Sequence, residues 1–291
     1  MNGGSGPPSL TDLSDISEEF EVRGAEGSTL IVVREHAAAV VQAGLDRPQG
    51  WDERIAAGAT GAGRGGTARL DLADGLGVVL KRMRRGGMLA KLWRDRFAGR
   101  RRLLENLRVP LEATRRGIAT AAPVALLLVE GPPGLYRAWL ALEEILGASN
   151  LVERLSGERP PDETEVDAVV GLIRRMHDRG IEHPDLNLGN LLLRDRPDGE
   201  GADAFEPFVV DLDRARVLPG ALSWTARVRA LRRLERSSVK LFGERPIEGF
   251  DLRRRWYEAY ACGDEAWLAR LERARRANRF WLSLHRLGWK N

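Results

Sequence analysis

The sequence predicts an α+β chain of two lobes, a small β-rich lobe followed by a larger helical one. Three observations carry this expectation. Short apolar runs separated by glycine-rich turns fill the region up to about residue 140. From residue 162 onward apolar residues recur at helical spacing between clear start and stop signals. Between these patterns, Gly180–Asp195 (GIEHPDLNLGNLLLRD) mixes one His, several acids and two Asn with Leu186, Leu188, Leu191, Leu192 and Leu193. A surface loop has no need of those leucines, and a core strand has no use for Asp185 or Asn190. The mixture predicts a loop pinned to an apolar core so that its polar groups stand still, as catalysis demands.

Taken in order, residues 1–27 are rich in Gly, Pro, Ser and acids and are expected to form a disordered tail. Residues 28–140 form the expected β-rich lobe. STLIVVREH reads as a strand and AAAVVQAGL as a short helix. GATGAGRGGTARLDLADGLGVVLKRM reads as glycine loop, strand, turn and strand, with Ala73-Asp74-Gly75 as the hairpin turn. Residues 88–116 have a helical pattern that Gly99 and Pro110 should interrupt. AAPVALLLVEG and YRAWLALEEI read as strands joined at Pro132-Pro133-Gly134. Residues 141–291 form the expected helical lobe. DETEVDAVVGLIRRMHDRG is a helix with Asp162 as N-cap and Gly180 as stop. FEPFVVDLDRARVL is a buried strand ending in acids, and the Arg-rich, Trp-rich remainder from Trp224 is helical.

A chain of 291 residues with 43% hydrophobic and 30% charged residues can bury a sizeable core. Cys262 is its one cysteine, so no intramolecular disulfide forms, and a reducing compartment is expected. Cys262 has no partner motif and is expected to be a buried thiol. No apolar run approaches a membrane span, and the N-terminus lacks the pattern of a signal peptide.

The polar cluster has the inventory for phosphoryl transfer. Asp185 and Asn190 lie five residues apart, and Asp211 ends the run FVVD. Asp185 can orient an attacking hydroxyl and accept its proton. Asn190 and Asp211 offer the hard oxygens that Mg²⁺ prefers. Lys81, ending the apolar run GVVLK, can neutralise phosphate charge. His183 and His177 are expected to brace the structure rather than move protons. Asn187 can contact metal or substrate, or it can fix the loop backbone. Asp213 can pair with Arg214 or Arg216, or it can make a second metal contact.

His183-Pro184-Asp185-Leu186 with Asn190 resembles the kinase catalytic loop H-x-D-L-x-x-x-N. Asp211-Leu212-Asp213 resembles the metal-binding D-F-G, with Asp213 in place of Gly, and VVLK resembles the strand that carries the ATP lysine. The longer pattern RRMHDRGIEHPDLNLGNLLL, followed by VVDLDRARV, is similar to the lipopolysaccharide kinases, especially those that phosphorylate 3-deoxy-D-manno-octulosonic acid (Kdo). LKRMRRGGMLAKLWRDRF and GIATAAPVA also resemble stretches of those kinases, so that the likeness runs from about Gly61 to Arg216.

The resemblance implies a protein-kinase-like fold, ATP and Mg²⁺ as cofactors, and a hydroxyl of lipid-linked Kdo as acceptor. It also implies a glycine loop, here Gly63, Gly65 and Gly66, whose N–H groups can cradle phosphate, although GRGGTARL departs from the regular G-x-G-x-x-G. Glu105 is the expected partner of Lys81, with Glu112 in reserve. Pro184 stands where Arg or Ala is usual. The rivals are a kinase of core heptose, of a small molecule or of a protein, and a nucleotide-binding scaffold without catalysis.

The stretch from Lys81 to Arg102 holds many basic residues and one acid, Asp95, interleaved with Met88, Leu89, Leu92, Trp93 and Phe97. Cations among apolar groups suit an anionic membrane surface, although a solvated charged helix has the same composition. With the expected lipid acceptor, this places the protein at the cytoplasmic face of the inner membrane as a peripheral protein. No nucleic-acid partner is expected.

Overall fold

The computed structural model describes residues 18–25, 27–58, 67–84, 95–132, 134–156, 162–242 and 252–286. It divides into two compact units, residues 1–111 with 121–146, and residues 112–120 with 147–291. The α+β, protein-kinase-like class expected from the sequence is the class observed: an antiparallel sheet dominates the first unit and helices dominate the second.

The first unit is built on strands β1 (Phe20–Ala25), β2 (Ser28–Val33), β3 (Thr67–Asp71), β4 (Gly77–Arg82), β5 (Phe97–Ala98), β6 (Pro123–Glu130) and β7 (Leu135–Glu143). The sheet runs β1-β2-β6-β7-β4-β3, with β5 joined to β7, and every pairing is antiparallel. Alternation along the strands divides the apolar side chains between two faces. One face carries Leu30, Val32, Val78, Leu80, Leu127 and Trp139, covered by the helices α1 (Ala37–Gln42) and α2 (Pro48–Ala57) through Val40, Trp51 and Ile55. The other carries Ile31, Leu126, Ala138 and Leu140, covered by helix α3 (Arg101–Arg115) through Leu103, Leu104 and Leu107.

Several expectations are corrected here. The tail predicted to reach residue 27 gives way to a strand at Phe20. Phe20 is 1% exposed in the sheet core, and β1 pairs with β2 in register across a turn at Gly27, whose φ is 73°. The acids that suggested disorder alternate with the residues that pack. Phe97–Ala98 is a strand rather than helix. Pro110 does not interrupt α3, which continues to Arg115. A mid-helix proline costs about 3 kcal/mol, and burial of Leu103, Leu104 and Leu107 at roughly 1.5–3 kcal/mol each exceeds it.

The second unit centres on α5 (Glu163–Asp178), preceded by β8 (Ala148–Asn150) and the short helix α4 (Leu151–Leu155). Asp162 caps α5 as expected, in a reciprocal box with Glu165. After α5 come β9 (Ile181–Glu182), β10 (Leu191–Asp195), β11 (Phe205–Val209) and β12 (Arg216–Val217). β10 lies between β8 and β11, and β12 pairs with β9. Helices α6 (Trp224–Phe242), α7 (Leu252–Ala261) and α8 (Glu265–Arg286) complete the chain.

Gly180 stops α5 with φ 77°, and a Cβ there would lie 2.5 Å from the Gly220 carbonyl oxygen. Its own carbonyl accepts from Leu218 N–H at 2.8 Å. Cys262 was expected to be buried, but it is exposed. It occupies the left-handed position that ends α7, with φ 52° and its N–H on the Glu258 and Ala259 carbonyls, a C-cap site that faces solvent.

A buried polar group ties α5 to the later helices. His177 is fully buried and its Nδ1 lies 2.8 Å from the Tyr260 hydroxyl. Arg227 donates to the same hydroxyl at 3.1 Å and pairs with Asp178 at 2.6 Å. Burial, aided by the Arg227 charge, lowers the His177 pKa to about 3. Its folded value is below its unfolded one, so the unfolded chain takes up the proton first. This contribution to stability is intact above about pH 6.5 and is lost as the pH falls toward 3. Denaturant unfolding between pH 7.5 and 4.5 is expected to show a loss approaching 1.4 kcal/mol per pH unit below about pH 5.5 that His177→Gln lacks. Equal slopes for the two proteins would contradict it.

Candidate active site

The leucine-studded loop is anchored as its composition requires. Leu186, Leu188, Leu191 and Leu193 are each at most 1% exposed. Between them the polar residues bond to the loop's own backbone. Asp185 N–H donates to His183 Nδ1 at 3.3 Å, and the Asp185 carbonyl accepts from Asn187 Nδ2 at 2.8 Å and Asn190 Nδ2 at 3.0 Å. The Asp185 backbone is therefore fixed on both sides while the residue stays exposed to solvent. Asn187 Oδ1 also accepts from Gly189 N–H at 2.9 Å. Both ends of its amide bond within the loop, so that Asn187 helps to fix the backbone.

His183 is 1% exposed and donates from Nε2 to the Val210 carbonyl at 3.2 Å. With Nδ1 accepting and Nε2 donating, the imidazole is a neutral brace. Burial lowers its pKa from the ordinary histidine value, opposed by the bond to Val210. The N–H of the same residue, Val210, donates to the Asn190 carbonyl at 2.9 Å. The residue before Asp211 is thus bonded to both ends of the Asp185–Asn190 loop. Asp211 itself has φ 62° and ψ 50°. Left-handed backbone at a non-glycine residue is uncommon and concentrates at functional sites.

The structure accordingly gathers Asp185, Asn190 and Asp211 into one hydrogen-bonded group. Asp213 lies in the single turn Leu212–Arg214, and Arg216 pairs with Glu182 at 3.8 Å. The donor set suits a hard divalent cation. Asn190 spends its Nδ2 on the loop, leaving Oδ1 to ligate, and Asp211 supplies a carboxylate. Among the described residues no cluster of three or more His, Cys, Asp or Glu could hold a metal by itself. A pair of protein oxygens completed by phosphate and water is what Mg²⁺ takes at phosphoryl-transfer sites.

Lys81 and Glu105 belong to the other unit. Lys81 is half-buried on β4, opposite Thr67 and Leu140. Alternation with Leu80 puts it on the sheet face that α3 covers, and Glu105 lies on α3, 3.5 Å from Arg108. Glu112, the reserve, pairs with Arg116 at 2.7 Å within the second unit. Gly63, Gly65 and Gly66 lie outside the described residues, as do residues 85–94 of the basic stretch. The flanks of that stretch are described: Arg82 pairs with Asp95 at 2.6 Å, and Arg84 and Arg96 are exposed.

Ser237 was missed by sequence reasoning. Its Oγ accepts from Leu188 N–H at 3.3 Å and ties α6 to the catalytic loop. Nothing in the local pattern of a serine on an Arg-rich helix distinguishes that contact.

Residues 49–259 match the model of the lipopolysaccharide kinase (Kdo/WaaP) family. The chain is 34% identical over 226 residues to a 3-deoxy-D-manno-octulosonic acid kinase of Xylella fastidiosa (strain M12), covering 75% of this chain and 85% of that one. It is 34% identical over 235 residues to the kinase of the same description from Xanthomonas oryzae pv. oryzae (strain PXO99A), covering 79% and 88%. Among solved structures, WaaP in complex with acyl carrier protein superimposes with a TM-score of 0.52 at 22% identity, over 85% of this chain and 98% of that one. The match over most of the chain, together with the identity to these relatives, establishes that the chain belongs to the lipopolysaccharide kinase (Kdo/WaaP) family and is a phosphotransferase that acts on an alcohol.

Proposed function

We propose that the protein transfers the γ-phosphate of ATP to a hydroxyl of Kdo in the lipid A–inner core region of lipopolysaccharide. The observation that carries the reading is the double anchoring of Val210, which holds Asp211 beside the Asp185–Asn190 loop. The relatives named as Kdo kinases support the choice of acceptor sugar.

In this reading the exposed Asp185 carboxylate orients the acceptor hydroxyl and takes its proton. Asn190 Oδ1 and the Asp211 carboxylate hold Mg²⁺, which when bound neutralises the phosphates of ATP. Lys81 adds positive charge on the phosphate side, with Glu105 keeping the lysine in place, and Gly63, Gly65 and Gly66 offer backbone N–H groups to the phosphates. His183 holds the loop and exchanges no proton: its Nε2–H is committed to Val210 and its Nδ1 to Asp185 N–H.

The acceptor is lipid-linked, while no described helix is long and apolar enough to cross a membrane. Peripheral attachment at the cytoplasmic face of the inner membrane reconciles the two. The basic stretch around Arg84 and Arg96 would supply the attraction, at roughly 1 kcal/mol per basic residue near an anionic surface.

Asp185→Asn is expected to keep ATP affinity while turnover falls by about 10²–10⁴, measured with Mg-ATP and a Kdo-bearing lipid A precursor. Near-normal turnover by the folded variant would remove Asp185 from the mechanism. Asp211→Ala should abolish Mg²⁺-dependent turnover, and Asn190→Ala should raise the Mg²⁺ concentration needed for half-maximal rate. A greater loss from Asp213→Ala than from Asp211→Ala would shift the metal-binding role by two residues. For the membrane reading, the combined change of Arg84, Arg85, Arg94 and Arg96 to Gln should reduce flotation with anionic vesicles and spare ATP affinity. Equal flotation of the two proteins would leave the stretch an ordinary solvated surface.

A further inference from the structure

Helix α6 carries arginines of two kinds. Arg227 pairs with Asp178 and Tyr260, and Arg232 donates to the Ala274 carbonyl at 2.8 Å. These belong to the packing of the helices. Arg229, Arg233 and Arg236 make no ion pair or hydrogen bond with the described residues. At about 100° per residue the three fall within an arc of roughly 60° on one side of α6. Like charges at such spacing repel and destabilise a helix by a few tenths of a kcal/mol per pair. Packing gives no reason for the stripe.

Its position does. Ser237, one turn after Arg233, accepts the N–H of Leu188 and fixes this side of α6 to the catalytic loop. Arg233 and Arg236 are half-buried and Arg229 is exposed, so the stripe runs from the loop outward into solvent. Burial, with the charges of Arg229 and Arg236, holds the Arg233 pKa below the usual arginine value, while Glu182 and Asp185 act in the opposite direction. Arg233 therefore feels the carboxylate beside which an acceptor hydroxyl would sit.

We propose that Arg229, Arg233 and Arg236 form the acceptor-side anion site, binding an oxyanion of the sugar acceptor while its hydroxyl lies at Asp185. This deepens the proposed function and rests on it for the location of the acceptor. The chemistry is that of a guanidinium fork on a carboxylate or phosphate. The oxyanion is either the carboxylate of the acceptor sugar or a phosphate of the glycolipid that bears it.

The test compares the full-length protein with the triple variant Arg229→Gln, Arg233→Gln and Arg236→Gln, and with Arg233→Lys. Thermal unfolding confirms that the variants fold. With a Kdo-bearing lipid A precursor, the triple variant should raise the acceptor KM by at least about tenfold, as expected for loss of a charge-assisted contact, with the KM for ATP unchanged. Arg233→Lys, which keeps the charge without the fork, should fall between. Esterifying the sugar carboxylate, or removing the lipid phosphates, identifies the oxyanion: the modification that removes it makes wild type and triple variant alike. A KM for acceptor unmoved by the triple variant, or moved equally with every acceptor, overturns the proposal.

A second arm needs no turnover. Inorganic phosphate and free Kdo are titrated against each protein with Mg²⁺ and a non-hydrolysable ATP analogue present. Binding that weakens in the triple variant supports the site. Absent binding to wild type, or equal binding to both proteins, overturns it. A wild-type protein that binds these anions through the three arginines yet phosphorylates no Kdo acceptor would refute the acceptor identity and leave the anion site standing.

Discussion

The loop that carries Asp185 and the strand that leads to Asp211 are joined at one residue, Val210. Its carbonyl accepts from the buried His183, and its N–H donates to Asn190. These bonds extend the β10–β11 ladder, in which Leu191 faces Val209, and hold the strand that leads to Asp211 against the loop carrying Asp185. With them, three polar side chains far apart in the chain share one rigid frame. His183 is buried, so that losing its bond to Val210 would leave a ring N–H without water, at a cost of about 1–3 kcal/mol. The leucines between the polar residues exclude that water. Leu186 and Leu188 lie inward for the same reason that Asp185 lies outward.

Neutrality is the second requirement. Two acids, Asp211 and Asp185, act on His183 and favour its protonated form, yet burial prevails and holds its pKa down. A charged imidazole would lose the acceptor nitrogen that receives Asp185 N–H. His177, at the end of α5, is kept neutral by the same physics, with the Tyr260 hydroxyl and the Arg227–Asp178 pair around it. The two histidines join the catalytic loop and the helical core through groups that carry no charge.

Much of this was legible beforehand because the signals are local. The Asp162 cap, the Gly180 stop and the Ala73–Gly75 turn depend on dihedral angles and hydrogen bonds within a few residues. The readings that failed involved long-range packing. Phe20 stands among acids, and only its pairing with β2 makes the segment a strand. Pro110 reads as a break, and only the sheet under α3 outweighs it. Cys262 reads as apolar, but a helix end placed it in solvent. Ser237 and the unpaired stripe on α6 carry no mark in the sequence, since a serine or an arginine on a helix is equally at home facing water.

The sequence by itself determined the α+β class, most of the sheet strands and helix α5, and it put forward Asp185, Asn190 and Asp211 as a phosphoryl-transfer set. Side-chain chemistry and short spacings suffice for that, because each residue type has few alternative uses in such a pattern. The tertiary structure alone decided which atoms are spent on holding the loop and which remain for chemistry. Asn187 bonds the loop backbone through both Nδ2 and Oδ1, Asn190 through its Nδ2, and the Asp185 backbone is clamped while the residue stays exposed. The reason is geometric: a hydrogen bond requires atoms within about 3 Å, and only the folded chain brings residue 210 that close to residues 183 and 190.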